Sequence, residues 1–552
     1  MLEDGWQAGL QLLKAATTMH VNRRELIAAL GALGLAPSAF AREDGPSFTF
    51  AHGVASGDPQ RDRVILWTRV TPVDPTETLR VRWRVAGDPA MKQVRQSGRF
   101  VTDRRRDFTV KVDASGLDPG LTYYYQFEAR GVKSPIGRTR TLPVGRVDRL
   151  RLAFASCANY PQGYFNAYAR IAERDDLDFV LHLGDYLYEY QLGVYADPQL
   201  AGQRDVVPTH EMVTLADYRQ RYGLYRSDPD LQEVHRQHPF ITVWDDHETA
   251  NNSWRDGAEN HNPDKGEGDW RTRRRSAVQA FNEYLPIRAS SPTDDKIYQS
   301  FRFGDLADIL MLDTRLHGRD QQIDREPGAS DIAATDPRIA DAKRTLLGLD
   351  QEAWLARELR RSKDRKQPWR ILGQQVMMAH NSRTQGRTIR NPDQWDGYGP
   401  ARERLFQVLR ERDIRNNVVL TGDIHSSWCN ELSSNPWAAS ATADEARILG
   451  VEFVGPAVSS PGLRDQAQAV TDAARVRSDS PHIKYVEMHR RGYAVLDVTR
   501  DRTQCEFYHL PTVSERDGRQ ELATVYASEA GNNSLKPASA EARGALAEPA
   551  PK

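Results

Sequence analysis

Asp178-Phe179-Val180-Leu181-His182-Leu183-Gly184-Asp185-Tyr186-Leu187-Tyr188 decides how this chain reads. Phe179 to Leu183 is short, mostly apolar and β-prone, which predicts a buried strand. Gly184 breaks the strand and lets the backbone turn. Asp185 then stands at the carboxyl edge of a sheet, where open α/β folds place their ligands. Tyr188 offers a phenol from the same loop. Carboxylate and phenolate together make a hard, oxygen-rich corner for a highly charged metal ion. Taken alone, the pair also fits a helix-capping Asp and a core Tyr, so the weight falls on three other stretches.

Predicted strands repeatedly end in the same kind of residue. Phe154-Ala155-Ser156 leads to Cys157, Val243-Trp244 to Asp245-Asp246-His247-Glu248 and then Asn251-Asn252, and Leu420-Thr421-Gly422 to Asp423-Ile424-His425. Asp423 and His425 are two apart, which puts both side chains on one side of an extended segment. Singly, Cys157 fits a small buried hydrophobe, His247 a partner of nearby carboxylates, and Asn251 and Asn252 turn residues. Together, Cys, Asp, Tyr, Asn and His form a metal-ligand set.

The remaining sequence sets the frame. At 552 residues, with 27% charged residues and a formal charge of −1, the chain has room for two or three domains and no basic field for nucleic acid. No apolar run reaches membrane-spanning length. Cys157, Cys429 and Cys505 are too few for a disulfide scaffold, and at most one bridge can form. Residues 1–41 read as an export signal. Arg23-Arg24 with Leu26 resembles a twin-arginine motif, an apolar run follows, and Ala39-Phe40-Ala41 fits a cleavage site, with Met19 as the probable start. This predicts a periplasmic or secreted protein that uses the twin-arginine machinery and has no stable membrane anchor.

Residues 48–145 alternate apolar with polar and predict a small β-sandwich. Leu117-Asp118-Pro119-Gly120 before Tyr123 resembles the tyrosine corner of fibronectin-type domains. From 149 to 512 strands alternate with helices, as in a layered α/β or α+β domain. Helix starts are expected at Thr214 with Asp217, at Ser227-Asp228-Pro229, and at Asp350. Residues 515–552 turn polar and are expected to be a disordered tail.

Ser156-Cys157, Gly184-Asp185-Tyr186 with Tyr188, Trp244 to Glu248 with Asn251 to Trp254, Leu312 to Arg315, Trp395 to Tyr398 and Gly422 to His425 resemble the PhoD-like alkaline phosphatases. The resemblance runs from about Phe48 to Leu510. It implies a calcineurin-like core behind an amino-terminal β-sandwich, and a centre of one ferric ion and two calcium ions. Carried over, Cys157 and Tyr188 bind Fe(III), Asp185 bridges to calcium, and Asp245, Asn252 or its neighbour, Asp423 and His425 complete the set. The choice among Asp245, Asp246, His247, Asn251 and Asn252 stays open. Thiolate and phenolate suit Fe(III), and carboxylate and amide oxygens suit calcium.

The implied reaction is hydrolysis of small-molecule phosphate esters by a metal-activated water or oxide attacking phosphorus. Asp185, Asp246, His247 and His425 are the candidate catalytic residues, with His247 a proton-transfer or phosphate-contact group. Arg315 reads more as an ion-pair residue than as a phosphate fork. The alternatives are a phosphodiesterase or phospholipase-D-like hydrolase on the same centre, and a non-catalytic surface module.

Overall fold

The strand predicted around Val180 lies in the middle of the largest sheet. The computed structural model describes residues 48–551 apart from 327, 383 and 438–441. The export-signal reading of residues 1–41 lies outside the described residues. Strand Phe179–His182 pairs in parallel with Arg149–Ala155 and Pro239–Thr242, and Val54–Gly57 continues in parallel beyond the latter. The whole sheet has ten strands, in the order 536–537, 521–529, 502–510, 491–499, 149–155, 179–182, 239–242, 54–57, 63–69 and 109–115. A second sheet of seven strands is built on parallel Ala307–Met311, Trp369–Gly373, Asn417–Thr421 and Gly450–Val454.

Strand alternation assembles the layers. Ile309, Ile371 and Val418 join Leu152, Val180 and Ile241 in one core between the sheets. Their neighbours Leu310, Leu372 and Val419 face the other way, onto Leu355 and Leu359 of helix Leu349–Asp364 and Leu405 and Phe406 of helix Gly399–Glu411. Successive residues of a strand point to opposite faces, so a strand buried on both sides reads as an unbroken apolar run. Each such aliphatic residue contributes about 1.5–3 kcal/mol by burial. The result is two packed sheets flanked by helices, with the loops after the parallel strands gathered at one end.

Two expected helix starts form as read. Thr214 and Asp217 make a reciprocal capping box on Leu215–Arg226. Asp228 caps Pro229–Gln237, accepting from the N–H groups of Asp230 and Leu231. The third start differs. The helix begins at Leu349 behind Gly348, so Asp350 lies inside the first turn, where the helix dipole favours its charge.

The tyrosine corner is present. Tyr123 Oη accepts from the Asp118 N–H at 2.8 Å. Residues 48–145 do form two facing layers over a shared core of Val64, Leu66, Val81, Tyr125 and Phe127. The expected boundary near 145–149, however, does not separate two sheets. Strands Val54–Gly57, Arg63–Arg69 and Thr109–Ser115 extend the ten-stranded sheet itself, because Val54–Gly57 pairs with Pro239–Thr242.

The expected disordered tail is also corrected. Glu521–Glu529 pairs antiparallel along Arg502–Leu510, and Lys536–Pro537 adds to its outer edge. Beyond them the chain is strapped down by guanidinium groups. Arg149 donates to the carbonyls of Glu541 and Ala542, Arg138 to that of Ala547, and Arg236 to those of Ala550 and Pro551. The polar composition marks exposure, but these hydrogen bonds order the backbone with little apolar burial beyond Leu535 and Ala550. Cys157, Cys429 and Cys505 are all free and buried. Among the described residues no helix is long and apolar enough to cross a membrane.

Candidate metal centre

The four strand ends singled out in the sequence converge. Cys157, Asp185 and His425 form one group whose ligand atoms lie within 4.8 Å of one another. Asp185, Asp246 and His247 form a second, and Asp245, Asp246 and Asp423 a third. Asp185 joins the first group to the second and Asp246 the second to the third, so the three make one continuous cluster. All but Asp423 and His425, which are half-buried, are fully buried.

The backbone is strained to achieve this. Cys157 (φ 62°), Asp185 (53°), Asn252 (50°), Asp423 (64°) and His425 (51°) all adopt the left-handed region. Non-glycine residues rarely do so, and such strain collects at functional sites. Gly184, with φ 103°, has no alternative, because a Cβ there would lie 2.3 Å from the Asp245 nitrogen. That contact is how the loops carrying Asp185 and Asp245 come so close.

Glu248 fixes the same two loops from behind. Its carboxylate accepts from the N–H groups of Asp185 (3.1 Å), Tyr186 (2.6 Å) and Asp245 (2.8 Å). Burial still pushes this acid up to about 7. A fifth strand end, the loop after Gly450–Val454, supplies Ser460. Its hydroxyl donates to Tyr188 Oη at 2.7 Å, and its N–H donates to the Cys157 carbonyl at 3.1 Å.

Tyr188 Oη donates to Asp185 Oδ2 at 2.8 Å and stands 3.2 Å from His425 Nε2. On the other edge of that imidazole, Nδ1 is 3.2 Å from Tyr195 Oη and 3.1 Å from the Pro461 carbonyl. His247 Nδ1 pairs with Glu189 Oε2 at 2.7 Å, and its ring lies 4.2 Å from that of Tyr188. Asn252 donates its N–H to Asp246 Oδ2 at 2.6 Å and its side-chain amide to Glu259. Asn251 turns its N–H to Glu189 and its side-chain amide to Glu259. Arg315, weighed as an ion-pair residue, is one. It contacts Asp245 at 2.5 Å and Asp423 at 2.9 Å.

The charges do not balance. Burial and neighbouring carboxylates hold Asp185 and Asp245 well above the usual range, although His247 and Arg315 respectively pull against this. Burial pushes Asp423 up to about 6. Burial and the nearby Asp185 raise the Cys157 thiol and the Tyr188 phenol far above their ordinary values. His247 goes upward too: burial opposes its charge, but Asp246, Glu189 and Asp185 outweigh it. Asp185 Oδ1, Asp245 Oδ2 and Asp246 Oδ1 have no hydrogen-bond partner although buried. Unpaired buried carboxylate oxygens cost several kcal/mol each unless a cation meets them. The donor set therefore fits metal ions.

Sequence reasoning missed Glu189, Tyr195, Ser460 and Gln394, whose side-chain amide donates to Asp423 Oδ2, and quoted Glu248 without a role. Ser460 follows a buried strand, so the strand-end pattern could have found it. Glu189 is the residue after Tyr188, and nothing in the sequence marks it as a partner of His247.

Two α/β sheets carrying a ligand-rich cluster at the ends of their parallel strands define a metallohydrolase-type centre. Residues 152–507 match the PhoD-like phosphatase family, and residues 35–143 match the PhoD-like phosphatase N-terminal domain. The chain is 37% identical over 487 residues to alkaline phosphatase D of Bacillus subtilis (strain 168), covering 85% of this chain and 79% of that one. It superposes on a solved structure of PhoD with a TM-score of 0.81 at 33% identity, covering 90% and 94% of the two chains. The chain belongs to the PhoD-like phosphatase family.

Proposed function

We propose that this phosphatase is an exported alkaline phosphatase that hydrolyses small phosphate esters on a mixed centre of ferric iron and calcium. The observation that carries the reading is that two unlike groups of donors are joined through Asp185 and Asp246, which stand together in a third group with His247. On one side stand a thiol, a phenol and an imidazole, from Cys157, Tyr188 and His425. On the other, the group Asp245, Asp246 and Asp423 offers oxygen alone. The first set suits Fe(III) and the second suits calcium, with Asp185 a member of the first and joined to the second through Asp246. Cations held there would neutralise charge on the phosphoryl oxygens and lower the pKa of water.

The chain's own residues supply the rest. Glu189 holds His247 by Nδ1, which leaves Nε2 on the side of Asp185 and Asp246. A cationic His247 so held can pass a proton to the departing alcohol. Glu248 keeps the two acidic loops at fixed separation, so the donors do not reorganise during turnover. The similarity to a relative named alkaline phosphatase D supports phosphate esters as the substrate class. Arg23 and Arg24 support export by the twin-arginine route, which would let iron be loaded before translocation.

Elemental analysis of the purified protein, with its visible spectrum, tests the reading. Iron and calcium together with a charge-transfer band are expected. Chelation of calcium should abolish ester hydrolysis and keep the colour, and added calcium should restore the rate. A colourless, iron-free protein with full activity rejects the proposal.

A further inference from the structure

A guanidinium stands inside the acidic cluster. Arg315 follows strand Ala307–Met311 and is fully buried. Its Nε donates to Asp245 Oδ1 at 2.5 Å, and Nη2 donates to Asp423 Oδ1 at 2.9 Å and lies 3.6 Å from Asp246 Oδ1. One side chain thus reaches all three carboxylates of the oxygen-only group. Nη1 points the other way and meets both oxygens of Asp393 at 2.9 Å. These bonds commit the planar fork to protein carboxylates, so it is not a clamp for substrate phosphate.

The anchoring is rigid on every side. Asp393 is also gripped by Arg319. Asp313 accepts from the N–H groups of Arg315 (2.8 Å) and Leu316 (2.9 Å), which fixes the turn. Gln375 accepts from the Thr314 N–H at 3.0 Å and donates to the Trp244 carbonyl at 2.8 Å. That amide ties the loop of Arg315 to the loop of Asp245.

The consequence lies in which oxygens are left. Arg315 takes Oδ1 of Asp245 and Oδ1 of Asp423. Asp245 Oδ2 and Asp246 Oδ1 stay without a hydrogen-bond partner, and Asp423 Oδ2 takes the Gln394 amide. The geometry points to Arg315 as a positioning residue for the oxygen-only metal site: it turns Asp245 about its side-chain bonds so that the partnerless Oδ2 faces the cation, and with Gln394 it holds the Asp423 carboxylate in place beside it. It also supplies a fixed positive charge at the inner end of the cluster. Lysine cannot replace it, because an ammonium is a point charge without a planar fork. Residues that orient metal ligands typically set affinity by 10–100-fold. The inference rests on the proposed metal centre.

The test compares wild-type protein with Arg315→Lys, measuring melting temperature in chelator and across a calcium titration. A ligand that binds only the native state raises stability with its concentration. Wild type should show a calcium-dependent rise, and if it shows none the metal reading itself fails. Given that rise, Arg315→Lys should need about 10–100-fold more calcium for the same increment. A merely structural arginine would lower the melting temperature equally with and without calcium and leave the titration midpoint in place, which overturns the inference. If Arg315→Lys does not fold, Asp393→Asn decides, since it loosens the guanidinium from behind and changes no carboxylate of the group. A shifted midpoint supports the role and an unshifted one overturns it.

Discussion

Asp178 and Asp185 bracket the same strand, Phe179–His182, and both are buried. Their surroundings are opposite. At the amino end, Asp178 Oδ2 accepts from the Arg151 N–H at 3.0 Å and meets the Arg543 guanidinium at 2.6 Å, and Oδ1, which takes no hydrogen bond, still lies 3.4 Å from the positive charge of Arg140. Arg151 in turn is shared among Asp176, Asp497 and Glu506. At the carboxyl end, Asp185 meets one hydroxyl, the His247 imidazole and a crowd of other carboxylates, and among the described residues no guanidinium reaches its partnerless oxygen. Six residues of chain separate a matched charge from an unmatched one. The matched end holds the fold and the ordered tail. The unmatched end stores a deficit that a cation can fill, and it is also where the backbone is strained.

Removing each carboxylate should separate the two roles. Asp185→Asn should lower kcat by at least about 10³-fold, since it takes away a group shared by both halves of the centre. Its melting temperature in chelator should hold or rise, because an uncompensated buried charge is gone. Asp178→Asn should do the reverse, keeping kcat within a few-fold while losing about 3–5 kcal/mol of stability by stranding buried guanidinium groups. Steady-state kinetics and chelated melting curves on both variants check this. Equal loss of stability at both ends would erase the distinction.

The site was largely legible because it sits on strand ends. A buried strand that runs into a ligand-type residue is a local pattern, and Cys157, Asp185, Asp245 and Asp423 each carry it, with a Gly just before the ligand at Asp185 and Asp423. What holds those residues in place is not local. Glu248 matters because Gly184 lets Asp245 approach, and Ser460 because the loop after a strand about 300 residues away in sequence bridges to Ser156 and Cys157. The tail failed for a related reason. Its order comes largely from Arg138, Arg149 and Arg236 donating to bare carbonyls and from the Arg543–Asp178 pair, and the partners in each case lie hundreds of residues away in sequence. The sandwich was read correctly as β, but composition says nothing about which sheet a strand joins.

A smaller effect sharpens the comparison at the join between loops. Glu248→Gln keeps the size of the side chain and loses one of the two acceptor oxygens that receive N–H groups from Asp185, Tyr186 and Asp245. The loops should loosen without losing a ligand. Metal affinity is expected to fall about 10–100-fold, with kcat at saturating metal within about tenfold of wild type. Metal titrations of activity measure both. An unchanged affinity would assign the spacing of the two loops to Gly184 alone.

The smallest effect tests whether the matched end is matched at every pH. His238 precedes strand Pro239–Thr242 and is fully buried. Its Nε2–H donates to the Ile171 carbonyl at 3.0 Å, and Nδ1 has no partner. Burial, helped by the nearby Arg138, pushes it down to about 3. The unfolded chain therefore binds a proton near pH 6.5 that the folded chain refuses until about pH 3. Between those values the unfolded state holds more protons, so stability is full above pH 6.5 and falls as the pH drops, by up to about 1.4 kcal/mol per unit from this group. His238→Gln keeps an N–H for Ile171 and cannot titrate. Other buried histidines share the acid slope, so the difference between the two proteins isolates this one. Melting curves at pH 7.5, 6.5 and 5.5 should show the variant gaining on wild type as the pH falls, and parallel curves would mean that His238 takes up its proton in the folded state after all.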